Sequence, residues 1–246
     1  MTAGGPITPE PGLRTRQRRA RAITVIGAVL AASVMAVAVI IVVQHNRGGA
    51  ANPPSYNGPY APVTLTADNT VTMAQPGVAG PVVNVYEDYQ CPVCEAFERA
   101  NGGTLQQLAY QGKVKVIYHL FTIFLGTQPR QANSTRAWAA ARCVPADRWV
   151  RYHNLLYAGQ PAETTAGGFP VGQLLALGRR IGLTSPAFTR CVSSQKYAPG
   201  IVGLSEQLSR DGINATPTVR LNGHPVSINV LVEPGSTLRQ LILAAH

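Results

Sequence analysis

The sequence predicts an α/β layer fold, and three observations predict it. Short apolar, β-branched runs alternate with longer Ala- and Leu-rich stretches of helical period. Strands flank helices on both sides, in the order strand, strand, helix, strand, helical block, helix, strand, strand, helix. Asn222-Gly223 sits between two apolar runs, a strong signal for a hairpin turn. Composition agrees. The 246 residues are 46% hydrophobic and 13% charged, which excludes a wholly disordered chain. Gly 24 and Pro 19 are too few for a collagen-like or low-complexity protein. Four cysteines are too few for a disulfide-dense mini-protein.

The chain begins with a basic tail, residues 1–21. It carries Arg14, Arg16, Arg18, Arg19 and Arg21 against Glu10 alone. The rest of the net charge of +10 is scattered, with no basic stripe interleaved with aromatics, so no nucleic-acid partner is expected. Residues 22–43, Ala22 to Val43, contain no charge. As a helix they would span roughly 33 Å, enough to cross a hydrocarbon core of about 30 Å. They are longer than the apolar region of a signal peptide, which is about 7–15 residues. The expectation is an uncleaved transmembrane anchor, with the arginines holding the N-terminus in the cytoplasm and everything after Val43 outside. Residues 44–62, rich in Gly, Asn and Pro, read as an extracytoplasmic linker.

Residues 63–246 form the predicted outer domain. Thr64–Ala74 reads as a strand or hairpin, and Pro81–Tyr86 as a buried strand. Pro92–Tyr110 reads as a helix with Phe97, Leu105 and Leu108 inward and a kink at Gly102-Gly103. Lys113–Leu120 is a strand with Val114, Val116 and Tyr118 on one face. Gln128–Tyr157 is helical, with Trp138 and Trp149 as core residues. Val171–Ile181, Pro186–Val192 and Gly200–Arg210 are further helices. Pro217–Leu221 is a strand, Ser227–Leu231 closes a hairpin with it, and Ser236–Ala245 is a terminal helix. The helical block, 128–199, interrupts the strand pattern as an inserted subdomain.

The chemistry is carried by Cys91-Pro92-Val93-Cys94, between a strand and a helix. A cysteine at a helix start meets the positive end of the dipole and unpaired backbone N–H groups, both of which favour its thiolate. The thiolate is the nucleophile of disulfide exchange and a good leaving group. Cys94, one turn later and more buried, can resolve a mixed disulfide. Pro92 suits the first turn, where its missing N–H is not needed. A zinc site would need two more ligands at similar spacing. Cys143 and Cys191 are 48 positions apart, and His119 and His153 show no ligand spacing, so no metal is expected. His153 reads as a helix-packing residue, and Glu95 and Glu98 as first-turn charges that suit the dipole. Pro217 at the entrance of a strand is the second clue, because some redox folds set a cis-proline against a C-x-x-C.

YEDYQCPVC, the helical insertion and NATPTVRLNG together resemble the DsbA-like thiol–disulfide oxidoreductases, in particular their membrane-anchored bacterial members. The resemblance covers about residues 64–246 and implies a thioredoxin fold with an inserted helical subdomain. By the same resemblance Cys91 is the attacking cysteine and Cys94 the resolving one. Pro217 is the cis-proline, and Thr216 offers its backbone to a bound peptide. Asp88 matches an acid that the family often has three residues before the first cysteine. The chain departs at two positions. Val85 stands where many relatives carry an acid beneath the active site, six residues before the first cysteine. Val93 stands where strongly oxidising members often have histidine, which suggests a less extreme oxidant.

Related proteins often pair two cysteines in the inserted helices, so Cys143 and Cys191 are expected to form a structural disulfide; a second redox pair passing electrons to Cys91 and Cys94 is the alternative. The implied activity introduces disulfides into exported polypeptides with free cysteines, without a bound cofactor. The implied reoxidase is a membrane protein of the DsbB or vitamin K epoxide reductase-like kind. Two rival readings remain: a disulfide isomerase or reductase, and a tethered binding or chaperone module whose cysteines are merely structural.

Overall fold

The computed structural model describes residues 56–66, 68–232 and 236–245. The expected anchor at 22–43, the basic tail and most of the linker lie outside them. Among the described residues no helix is long and apolar enough to cross a membrane.

Among the described residues, six strands form one sheet in the order β1-β2-β4-β3-β5-β6. They are β1 (Val63–Leu65), β2 (Thr70–Met73), β3 (Val82–Glu87), β4 (Lys115–Leu120), β5 (Thr218–Leu221) and β6 (His224–Pro225). Only β3 and β4 run parallel, with Val85 opposite Tyr118; the other neighbours are antiparallel. Strands β3 and β4 alternate strictly between half-buried and buried positions. That period of two places Val83, Val85 and Glu87 on one face with Val116, Tyr118 and Leu120. Most of this inward set is apolar, and it builds the core with Phe97, Leu105, Trp138 and Trp149. Glu87 is the exception.

The parallel pair requires a crossover, and helix α1 (Pro92–Phe97), a π-helical turn (Glu98–Gly102) and α2 (Gly103–Tyr110) supply it. The expected irregularity near Gly102-Gly103 is this π turn. A Cβ on Gly102 would collide with Glu98 Oε2, so the glycine lets that side chain fold back over the turn. The expected helix Gln128–Tyr157 is two helices, α3 (Arg130–Ala141) and α4 (Ala146–Ala158). Pro145 explains the break, because it has no N–H and disfavours helical geometry at Val144. Next come α5 (Val171–Arg180), α6 (Pro186–Ser193) and α7 (Gly200–Arg210). Cys143, after α3, is disulfide-bonded to Cys191 of α6.

Asn222 and Gly223 both take positive φ, 49° and 84°, the geometry of a two-residue hairpin turn. Asn222 also accepts from Val82 N through Oδ1 at 2.8 Å, which fastens the hairpin to the start of β3. The returning strand is much shorter than expected. It ends at Pro225, and the run expected as a strand from Ser227 to Leu231 is instead helix α8 (Ile228–Val232). Pro225 has no N–H with which to extend the ladder, and Ser227 Oγ accepts from Asn229 N to start a helical turn. Leu231 is buried in the core. Helix α9 (Ser236–Ala244) follows.

The half-buried face of the sheet carries His119 stacked on Tyr86 at 4.2 Å, with Nε2 2.9 Å from Asn84 Oδ1. Burial lowers its pKa to about 4, with Asp68 opposing weakly. The unfolded chain takes up this proton near pH 6.5 and the folded chain only near pH 4, so His119 costs stability progressively across that window as pH falls. Substituting His119→Gln should flatten the loss in denaturant midpoint between pH 6.5 and 4, measured at fixed ionic strength. The disulfide closes a loop of about 50 residues, worth about 4 kcal/mol in the chain-entropy model. The Cys143→Ala/Cys191→Ala variant should therefore unfold at distinctly lower urea concentration while keeping a redox-active Cys91–Cys94 pair. Loss of exchange activity in the folded variant would instead support an electron relay.

Candidate active site

Strand β3 ends at Glu87, and three further residues turn the chain into α1. Cys91 sits at the N-cap with φ −80° and ψ 118°, and Pro92 opens the helix. The Cys91 carbonyl accepts from Cys94 N at 3.1 Å and from Glu95 N at 3.2 Å, so the cysteine lies where the helix N–H groups begin. Val93 is partly buried against the core. Cys91 and Cys94 are free thiols, and both are buried.

The two sulfurs are electrostatically unlike. The Cys91 thiol lies below its ordinary value. The hydrogen bond from the Cys94 side chain is the first cause, and the Thr216 side chain and the Cys94 backbone N–H add to it, against burial and the nearby Asp88 carboxylate. The Cys94 thiol is pushed well above its ordinary value, first by burial and then by Cys91 and Glu87. The Thr216–Pro217 peptide is cis. As a thiol, Cys91 donates to the Thr216 carbonyl oxygen at 3.4 Å. Thr216 Oγ1 is buried beside it and has no hydrogen-bond partner of good geometry among the described residues. The structure thus brings together Cys91, Cys94, Pro92, Val93, Thr216 and Pro217, and places the Cys143–Cys191 bond in the insertion.

The thioredoxin family pattern matches residues 77–236, from before β3 to the start of α9. The chain belongs to the thioredoxin family. Within it the chain is a DsbA-like thiol–disulfide oxidoreductase. It is similar to the disulfide bond oxidoreductase DsbG of Mycobacterium tuberculosis in its reduced form: 33% identity, 70% of this chain, 88% of that one, TM-score 0.54. It is also similar to oxidised DsbA of that organism: 32% identity, 75% and 98% covered, TM-score 0.55. The thiol–disulfide oxidoreductase MdbA of Corynebacterium diphtheriae, at 20% identity, 78% and 97% covered and TM-score 0.62, shares the fold. Among curated proteins, the serine/threonine-protein kinase PknE of M. tuberculosis is 27% identical over 139 residues, 54% of this chain. The chain spans about a quarter of the length of the curated relatives it matches.

Several residues around this thioredoxin-type site were not legible as such. Val85 does occupy the position expected for a buried acid, but a carboxyl reaches the same face two residues later, at Glu87. Burial, the neighbouring Glu98 and Cys91 push Glu87 well above the usual carboxylate range. Strand alternation was the available signal, since 85 and 87 share a face. Glu98 is not a surface charge; its side chain is 6% exposed and faces His153. His153 is fully buried, as a packing residue would be, but it packs with carboxylates as well as with Trp149 and Tyr118.

Asp88 is fully buried and accepts from Gln90 N, Ile123 N and the Ser134 hydroxyl. Burial raises its pKa to about 6, against these hydrogen bonds. Gln160 Nε2 donates to the carbonyls of Tyr89 and Cys91 at 2.8 and 3.0 Å, and Gln90 Nε2 to that of Pro161 at 2.8 Å. Lone polar residues such as Ser134 and Gln160 carry no sequence pattern that could have flagged them. Asp88→Ala leaves buried donors without an acceptor and should cost about 3 kcal/mol, read from urea midpoints at neutral pH. Asp88→Asn, which keeps an acceptor oxygen, should cost less.

Proposed function

We propose that this oxidoreductase is tethered outside the cytoplasmic membrane by Ala22–Val43 and donates its Cys91–Cys94 disulfide to exported polypeptides. The observation that carries the direction of attack is the asymmetry of the two sulfurs: Cys91 with its thiolate favoured, Cys94 deep and proton-retaining. A substrate thiolate attacks Cys91 Sγ of the oxidised enzyme. The Cys91–Cys94 bond breaks, Cys94 leaves with the electron pair and takes up a proton, and substrate and Cys91 are joined in a mixed disulfide. A second substrate thiolate then attacks the substrate sulfur. The mixed disulfide breaks, Cys91 leaves as thiolate, and the product carries one disulfide.

The Thr216 carbonyl lies beside Cys91, where an extended substrate backbone can pair with it. The two electrons gained by the enzyme pass to a membrane reoxidase of the DsbB or vitamin K epoxide reductase-like kind. Reoxidation is disulfide exchange as well, so no bound cofactor takes part. In this reading Cys143–Cys191 is structural.

In cells, Cys94→Ser should accumulate mixed disulfides between Cys91 and exported proteins, visible as reducible adducts, and Cys91→Ser should form none. The reduction potential of the pair should lie above about −200 mV in glutathione buffers. A value near the thioredoxin figure of about −270 mV would move the assignment to reduction or isomerisation. Full activity of Cys91→Ser would leave only a binding module.

A further inference from the structure

Behind the C-x-x-C helix lies a cluster that the exchange steps do not use. Glu87 comes from β3, Glu98 from the π turn and His153 from α4. His153 Nε2 stands 3.8 Å from Glu87 Oε2 and 3.6 Å from Glu98 Oε2. One donor atom from each residue lies within 4.8 Å of the other two. The Glu87 and His153 side chains are wholly buried. His153 Nε2 and both Glu87 oxygens have no hydrogen-bond partner of good geometry among the described residues, although the Glu98 and Tyr157 side chains stand next to the Glu87 carboxyl. Among the described residues, neither carboxylate is bridged to Lys or Arg.

The two nitrogen–oxygen separations are too long for hydrogen bonds. They are close to the about 3.3–3.5 Å between two ligands of a tetrahedral ion bound at about 2.0–2.1 Å. Two carboxylates around one imidazole concentrate negative charge away from water. Such an arrangement persists only if protons or a cation neutralise it. The imidazole is also supported as a ligand would be. Tyr89 Oη lies 3.0 Å from His153 Nδ1. In the tautomer with the proton on Nδ1, Tyr89 Oη accepts it and Nε2 faces the carboxylates with its lone pair; Tyr89 is then the outer partner that metal-bound histidines almost always have. Glu98 and Tyr157 also line a surface cleft of about 460 Å³, which Glu87 and His153 do not reach, so Glu98 is the member of the cluster nearest solvent.

We infer that Glu87, Glu98 and His153 bind one divalent cation of the zinc class, joining β3, the π turn that follows the C-x-x-C helix, and α4. Imidazole nitrogen and carboxylate oxygen are both zinc ligands, and a water would complete four-coordination around these three. Calcium and magnesium fit less well, because both prefer more oxygen ligands. The site was invisible in sequence because its three ligands are 11 and 55 positions apart on three separate elements.

The test uses the full-length chain in detergent micelles, stripped with a chelator and oxidised so that Cys91 and Cys94 form a disulfide and cannot bind metal as thiolates. Zinc chloride is titrated by equilibrium dialysis, with thermal unfolding in parallel. The expected result is one zinc per chain and a raised Tm. Glu98→Gln and His153→Gln should weaken binding at least a hundredfold, and Tyr89→Phe about tenfold, the usual cost of losing an outer partner. Glu98→Gln keeps the side-chain shape, so it decides the question if His153→Gln does not fold. Folded wild-type chain that binds no zinc overturns the proposal and leaves protons as the neutralising charge. Equal zinc affinity in wild type and Glu98→Gln also overturns it, by placing the metal on other side chains.

Discussion

Four consecutive residues at the end of β3, Glu87 to Gln90, are buried, and three of them are charged or amide side chains. A buried polar group without a partner costs about 1–3 kcal/mol, so this run constrains everything packed around it. Asp88 is satisfied by the loop after β4 and by α3. Gln90 Nε2 and the carbonyls of Tyr89 and Cys91 are satisfied by residues 160 and 161, after α4, whereas Gln90 Oε1 is buried with no partner among the described residues. Tyr89 meets His153 on α4 itself. The turn that presents Cys91 is therefore held by partners contributed mostly by the inserted helices. A thioredoxin core without that insertion would leave these groups orphaned.

The same turn sets up the unlike sulfurs. Ending the strand at Glu87 and starting the helix at Pro92 puts Cys91 at the N-cap, beside the cis-proline loop. Helical geometry then carries Cys94 one turn inward, onto the core. Burial raises the inner thiol, whereas local hydrogen bonds lower the outer one. No histidine at position 93 is needed for a difference of this sign, although one would add a nearby cation. The difference follows from chain direction and depth.

These two layers were unequally legible in the sequence. Cys91–Cys94, Pro217 and the strands around them were readable because each has a local signature: a fixed spacing, a strand-entry proline, alternation of period two. Asn222-Gly223 was readable for the same reason. The Ser227–Leu231 run was misread because INVL is β-branched and apolar in either state. Pro225 had already ended the ladder, and Leu231 buries itself equally well from a helix. Pro145 was the local signal for the break that the single-helix reading of Gln128–Tyr157 did not use. Glu98 was read as a charge that suits the helix dipole and His153 as a packing residue, because a helix position alone does not say which neighbour it will face. Their meeting depends on the π turn, on Gly102 lacking a Cβ and on the packing of α4 against the sheet.

This dependence bears on what the insertion does. Its helices supply Ser134 to Asp88 and His153 to the Glu87–Glu98 cluster, and the loop after α4 supplies Gln160 to the Cys91 carbonyl. The Cys143–Cys191 bond ties α6 to the end of α3, the helix that carries Ser134. Cross-linking there restrains the helices whose side chains satisfy the active-site turn, although neither sulfur lies in the C-x-x-C motif. A bond that resists reduction suits that role better than one that exchanges, because reducing it would loosen the partners of Asp88 during turnover. The insertion is thus a wall of the active site, and its disulfide ties together two of the helices that build that wall.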